Sequence, residues 1–389
     1  MGDWVRYGAF NLLFVSRYSI SIVANLTATD VFTLTAVQPL HGRTTTSLDD
    51  HHQHQCASAG TNPKFPAIII FGDSTVDPGN NNYIDTIFKG NVAPYGINFP
   101  GHVPTGRFSD GKLVTDFVAS SLGIKDAVPP FLDPNLSDDN LRTGVSFASS
   151  GSGYDDLTTL LSNVITVSRQ VEMFRSYIEK LKGIVGDEEA NNIIAQALVV
   201  VSAGTNDLIF NFFDIPTRRL EFDISGYQSF LLQRLEDFVK QIYDLGCRNI
   251  VVAGLPPVGC LPVQMTVRLE NPMNRQCLED QNSDARSYNE KLVKLLPEIQ
   301  AELPRSKLVY ADIYHPLMDM IIHPQQYETT VGCCGTGVLG LSLFCKSVTS
   351  ACGNPSQYVF WDSVHPTQQV YRQLAKYIVK EVVPKLLPN

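Results

Sequence analysis

The sequence lacks an apolar run long enough to cross a bilayer, a surplus of positive charge, and any internal repeat. With 30 Lys and Arg against 39 Asp and Glu, the formal charge is −9. Nothing in such a chain would displace counterions from a phosphate backbone, and no basic run interleaved with aromatics offsets the balance, so a nucleic-acid partner is excluded. No Cys-x-x-Cys spacing occurs, and no histidine lies among Cys333, Cys334, Cys345 and Cys352, which argues against a zinc site. No Ser/Gly linker divides the chain. Hydrophobic residues make up 44% and charged residues 18%, the balance of a folded enzyme and not of a disordered chain.

Cysteine is present, and its placement is informative. Of the eight, Cys260, Cys277, Cys333, Cys334, Cys345 and Cys352 cluster in Gly- and Pro-rich stretches of the last third. Paired loop cysteines suggest an oxidising compartment. Cys260 with Cys277 is the simplest bridge. Vicinal Cys333 and Cys334 would bond each other only under strain, which leaves a crossed or a nested pairing with Cys345 and Cys352. Cys56 and Cys247 remain as free thiols. The first 62 residues read differently from the rest: two short apolar stretches, Ala9 to Val15 and Ser19 to Leu26, are interrupted by Arg17 and followed by Asp30. They are read as a leader, either an atypical signal peptide or an unstructured extension, ahead of one domain over 63–389. The tract from His51 to Cys56 is read as solvated polar sequence, with no metal assigned. Secretion would open the sequons at Asn25 and Asn135 to glycosylation.

From Phe65 onward, continuous apolar runs alternate with helical periodicity. Ala67 to Phe71, Ala197 to Val201, Ile250 to Ala253 and Leu308 to Tyr310 have the pattern of strands buried on both faces, with a weaker run at Gly144 to Ala148. Tyr227, Leu231, Leu235, Phe238 and Ile242 mark a helix that ends at Gly246; Val171 to Ile184, Tyr288 to Leu303 and the stretch after Pro366 read similarly. This alternation predicts an α/β fold with a mostly parallel sheet covered on both faces, whose chemistry gathers at the carboxyl ends of the strands.

Three predicted strand ends carry polar groups that an idle loop would not need. They are Phe71-Gly-Asp-Ser-Thr-Val-Asp77, Ser149-Ser-Gly-Ser-Gly-Tyr154 and Ala203-Gly-Thr-Asn-Asp207. Near the end stands Trp361-Asp-Ser-Val-His-Pro366, in which a three-residue spacing lets the Asp362 carboxylate meet one imidazole nitrogen of His365 and leaves the other free for a serine proton. A serine, a base, a carboxylate that orients the base, and donors around an oxyanion are the parts of a nucleophilic triad.

Those segments, with AGLPPVGCLP, GCCGTG and FWDSVHPT in the same order and approximate spacing, resemble the plant GDSL esterase/lipase family of the SGNH hydrolases from about Lys64 to the C-terminus. The resemblance implies a flavodoxin-like three-layer α/β/α sandwich with five parallel strands. It implies Ser74 as nucleophile, His365 as base and Asp362 as its orienting partner. The oxyanion donors would be the N–H of Ser74, the N–H of Gly151 and the side-chain amide of Asn206. It implies no metal and no organic cofactor. The substrate would be a small-molecule, lipid or acylated-polysaccharide ester, and the protein a secreted monomer with no transmembrane span. Thr75 replaces the family's leucine, Pro78 its threonine and Ser146 its asparagine, so the loop after the nucleophile and one supporting hydrogen bond are open to change.

Several features are set aside. Gly144-Val-Ser-Phe-Ala148 lacks the closing glycine of a G-x-S-x-G elbow. Gly335 to Gly340 spells G-x-G-x-x-G without a preceding strand. Asp155 and Asp156 are read as solvated or capping, and His102, His315 and His323 as structural residues without a relay partner. The loops Asn80 to Phe108 and Phe210 to Phe222 are expected to choose the substrate, with Tyr83, Phe88, Tyr95, Phe99 and Phe108 as candidate pocket aromatics. An acyltransferase using the same acyl-enzyme, or a glycan- or lipid-binding protein on the same scaffold, stands as the alternative to the hydrolase.

Overall fold

A computed structural model describes residues 65–160, 162–267, 275–336, 345 and 351–387. The leader with Asn25, Cys56 and the histidine tract lies outside the described residues, as does the end of the G-x-G-x-x-G stretch. Four parallel strands, β1 (Ile68–Gly72), β2 (Leu198–Ser202), β3 (Asn249–Ala253) and β4 (Lys307–Ala311), hydrogen-bond in that order. Side chains alternate between the two faces as strand pleating requires. Ile69, Phe71, Val199, Val201, Ile250 and Val252 join the larger core, while Ile68, Ile70, Leu198 and Val251 join the smaller one. Both faces are covered, so every strand reads as a continuous apolar run.

The expected fifth strand is a correction. Residues 143–149 run along the outer side of β1, where Ile70 N donates to Val145 O and Phe147 N donates to Ile70 O. They pair only through an isolated parallel bridge at Ser146, which also meets Pro130 on its other side. Two prolines there, Pro129 and Pro130, bring no N–H, so no ladder propagates outward. With this segment counted in its place, the order is second, first, third, fourth, fifth, the doubly wound arrangement expected.

On the larger face pack α2 (Val167–Val185), α3 (Asp187–Gln196), α4 (Ile224–Asp244) and α5 (Glu279–Glu302). An aromatic cluster of Phe71, Phe147, Phe174, Tyr177 and Phe238 ties this layer to the sheet, with ring centroids 5.2 to 6.0 Å apart. The smaller face is covered by α1 (Val114–Ser121) and α7 (Gln368–Tyr377), with α6 (Tyr314–Ile321) beside α7. Two further strands, β5 (Glu328–Gly332) and β6 (Tyr358–Phe360), pair with each other and stand apart from the main sheet. Disulfides join Cys260 to Cys277, Cys333 to Cys352 and Cys334 to Cys345, so the last two are nested. Cys247 is a buried free thiol. No helix among the described residues is long and apolar enough to cross a membrane.

Candidate active site

The turn after β1 is held from three directions. Gly72 sits at φ +142, and a Cβ there would fall 1.9 Å from Ser202 O, so no larger residue fits. Its carbonyl accepts from Ser149 N, the Ser152 hydroxyl and the Gln170 amide of α2, and its N–H donates back to Gln170 Oε1 at 2.8 Å. Asp73 N donates to Ser202 O at the end of β2. This clamp presents Ser74 with its hydroxyl 2.7 Å from His365 Nε2.

His365 Nδ1 lies 2.9 and 2.8 Å from the two oxygens of Asp362. Asp362 is fully buried, and it also accepts from Val364 N at 2.8 Å, His365 N at 2.7 Å and the Tyr95 hydroxyl at 2.7 Å. The loop that carries it is pinned by the nested disulfides: Cys333 N donates to Phe360 O, and Cys334 N donates to Trp361 O at 2.7 Å. Phe108 packs on the His365 ring at 4.8 Å between centroids.

Gly151, at φ +92, and Asn206 line the same cleft as Ser74 and His365, with Phe88, Phe108 and Phe210. Among the described residues, neither the Ser74 nor the Gly151 N–H donates to another protein group, so both are free for a ligand. Asn206 does not cap the helical turn that follows; its Nδ2 donates to Ser152 O at 2.9 Å, leaving one N–H for the cleft. The loop bearing Gly151 rests on buried carboxylates. Asp77 accepts from Ser150 N and Oγ, and Asp207 accepts from Tyr154 N, Asp155 N and the Thr158 hydroxyl. Burial pushes the Asp207 carboxyl up to about 7, against these hydrogen bonds, and that of Asp73 up to about 6.

Ser74, Gly151, Asn206, Asp362 and His365 are thus brought together. Of the loop aromatics, Phe88 and Phe108 reach the cleft, Tyr95 is buried against Asp362, Phe99 lies beneath the Arg107 guanidinium, and Tyr83 is exposed. Asp155 caps the helical turn that follows, accepting from Leu157 N at 3.1 Å, and is buried in a two-pronged ion pair with Arg218. Burial raises its carboxyl, but the hydrogen bonds and charge of Arg218, with the hydrogen bonds from Leu157 N and Tyr227, together hold it below the usual range. His315 does have a carboxylate partner, Asp312 at 2.7 Å, but the pair is on the surface. Ser146 donates to Val76 O and so supplies a tie of its own where asparagine is usual. Pro78 leaves Asp77 able to accept from Gly79 N and Asn80 N. Tyr95, expected as a pocket aromatic, instead donates to Asp362, and Gln170 was not singled out by the sequence. No group of three or more His, Cys, Asp or Glu among the described residues is arranged to hold a metal ion.

The GDSL-like Lipase/Acylhydrolase profile matches residues 68–378. The chain belongs to that family. Two GDSL esterase/lipases of Arabidopsis thaliana are 56% and 53% identical to it, over 331 and 321 residues. Those alignments cover 84% and 82% of this chain and 92% and 89% of theirs. A crystal structure of an alpha/beta hydrolase enzyme from a lake metagenome covers 84% of the chain and 100% of its own. At 12% identity and a TM-score of 0.36 it bears no weight here. This GDSL enzyme is a carboxylic ester hydrolase by family, and the cleft just described is where its chain gathers a serine, a histidine and free N–H donors.

Proposed function

We propose that the enzyme cleaves carboxylic esters through an acyl-enzyme on Ser74. The observation that carries this reading is the unbroken chain Ser74 Oγ, His365 Nε2, His365 Nδ1, Asp362, each link below 3 Å. His365 takes the serine proton as Oγ attacks the acyl carbon. Asp362 stabilises the imidazolium while remaining charged itself. The developing oxyanion meets the N–H groups of Ser74 and Gly151 and the free amide N–H of Asn206, each such donor being worth roughly a hundred- to a thousand-fold in rate. Collapse expels the alcohol, protonated by His365. Water then repeats the sequence on the acyl-serine and releases the acid.

The substrate is a small-molecule, lipid or acylated-polysaccharide ester, and the protein works as a monomer. Residues 1–62 act as an export leader ahead of the catalytic domain, and the three disulfides suit the oxidising compartment to which it leads. Asn135 is exposed and available for glycosylation there. Expression of residues 60–389 in an oxidising host, with p-nitrophenyl acetate as substrate, tests the reading. Turnover should vanish in Ser74→Ala. Equal turnover in both proteins would refute it.

A further inference from the structure

The helical segment that follows Asn206, Asp207–Asp214, is wound wider than an α-helix: Ile215 N donates to Phe210 O, five residues back. Residues four and five apart therefore stack on one side, and Asn206, Ile209, Phe210 and Asp214 all line the catalytic cleft. One helical face begins at the asparagine of the site and ends, two turns and roughly 10 Å further on, at a carboxylate.

That carboxylate is held from behind by buried amides. Gln264, in the short helix Pro262–Val267, donates Nε2 to the two oxygens of Asp214 at 3.2 and 3.1 Å. Its own Oε1 accepts from Gln281 of α5 at 2.9 Å, which turns its amide N–H groups toward Asp214. Both glutamines are buried, a polar cost that an apolar wall would avoid. Among the described residues, no other donor reaches the Asp214 oxygens. A carboxylate offers about four acceptor sites. One that merely tied two segments together would close them on protein donors, yet here most stay unfilled at the wall of the cleft. Burial raises this carboxyl from its ordinary value, against the Gln264 hydrogen bonds and the charge of Arg219. The nearby guanidinium disfavours a second cation, so the group that suits Asp214 is a neutral hydroxyl.

The Asp214 end of the cleft belongs to the acid–base side. Val263 lines it and donates its N–H to Ser363 O at 2.9 Å, and Val364 lines it next to His365. A leaving oxygen must come within reach of His365 Nε2 to be protonated. The alcohol therefore extends toward Asp214, and the acyl group takes the other end, where Phe88 lies against Gly151. We propose that Asp214 selects the alcohol: its carboxylate accepts a hydrogen bond from a second hydroxyl on the leaving group, about two helical turns from the scissile bond. The inference rests on the acyl-enzyme reading above. Asp214 sets specificity and takes no part in the bond changes. A hydrogen bond to a charged acceptor favours the hydroxylated alcohol about tenfold over its deoxy counterpart.

The test compares monoacetates of straight-chain diols, from two to eight carbons, with n-alkyl acetates of the same length, read as acid released. The acyl group is constant, and the ratio of kcat/KM within each pair cancels any general change in a variant. In wild type the ratio should peak at about tenfold for diols of about five to seven carbons and fall on either side. Asp214→Ala should bring it to about one at every length. Asp214→Glu carries the carboxylate one methylene further and should move the peak to a diol one carbon shorter. A flat ratio in wild type, or a peak that persists in folded Asp214→Ala, overturns the assignment and leaves the esterase reading standing. If wild type hydrolyses no ester, the esterase reading fails. Saturation-transfer NMR of hexane-1,6-diol and hexan-1-ol then decides the hydroxyl site alone. A preference for the diol that is lost in Asp214→Ala upholds it, and the same relative binding in both proteins overturns it.

Discussion

Tyr95→Phe isolates the hydrogen bond that the phenol donates to Asp362. The phenol is buried, so the change removes one oxygen and leaves the edge-on packing with Phe108 at 5.5 Å and Trp361 at 6.1 Å in place. A hydrogen bond to a charged group is worth about 1.5–3 kcal/mol. Were all of it expressed in the transition state, kcat would fall about ten- to a hundredfold or slightly more, since 1.36 kcal/mol is tenfold in rate. Asp362 keeps its bonds from Val364 N, His365 N and His365 Nδ1, which hold the carboxylate in the same plane. The expected loss therefore sits at the low end, about tenfold in kcat. KM should not move, because Tyr95 does not line the cleft. Steady-state kinetics on p-nitrophenyl acetate beside thermal unfolding provide the assay. An unchanged kcat, or a fall in KM-dependent terms alone, would show that the phenol does not support the base.

Asn206→Ala removes a proposed oxyanion donor and one bond to Ser152 O; kcat should drop roughly a hundred- to a thousand-fold, with about 1 kcal/mol of stability lost. A fall of only a few fold would make Asn206 a loop tie and nothing more. Asp207 imposes a pH dependence on stability. Its folded carboxyl, raised from 3.8 to about 7, contributes stability that is fully present below 3.8 and lost as pH rises through about 7, worth about 4 kcal/mol over that window. In urea unfolding, the difference between wild type and Asp207→Asn should shrink with rising pH across that range; a flat difference contradicts the protonated, buried carboxyl. Removing the inner disulfide with Cys334→Ser and Cys345→Ser should cost about 2–4 kcal/mol of stability. It should also lower kcat, because Cys334 anchors Trp361 beside Asp362; full activity in the folded variant would detach the disulfides from the acid–base loop.

What the chain discloses on reading depends on whether the physics is local. The four strands are legible because residues such as Ile68, Ile69 and Ile70 are buried alternately on two faces, leaving no polar position to blur the run. Ser74 and Asn206 stand at strand ends and His365 three residues from Asp362, and together with the other family blocks those positions mark them out. Gly144 to Ala148 misleads because its apolar content is that of a strand, while its outward neighbour, Pro130, ends the ladder. Tyr95 meets Asp362 across 267 residues and Gln170 meets Gly72 across 98, and no local pattern encodes either contact. For Gln170 one clue existed: it occupies the same helical stripe as Phe174 and Tyr177, and an amide on an apolar face needs a buried partner. Asp155 caps a helical turn as its position suggests, but its ion pair with Arg218, 63 residues on, has no local signature.

The central claim is that Ser74, activated by His365, carries the acyl group. Intact-protein mass spectrometry after brief mixing with p-nitrophenyl acetate at mildly acidic pH tests it most directly. The account predicts a single added acetyl mass on wild type, mapped by peptide digestion to Ser74, and none on Ser74→Ala. An adduct on another residue, or the same adduct and turnover in Ser74→Ala, would contradict it.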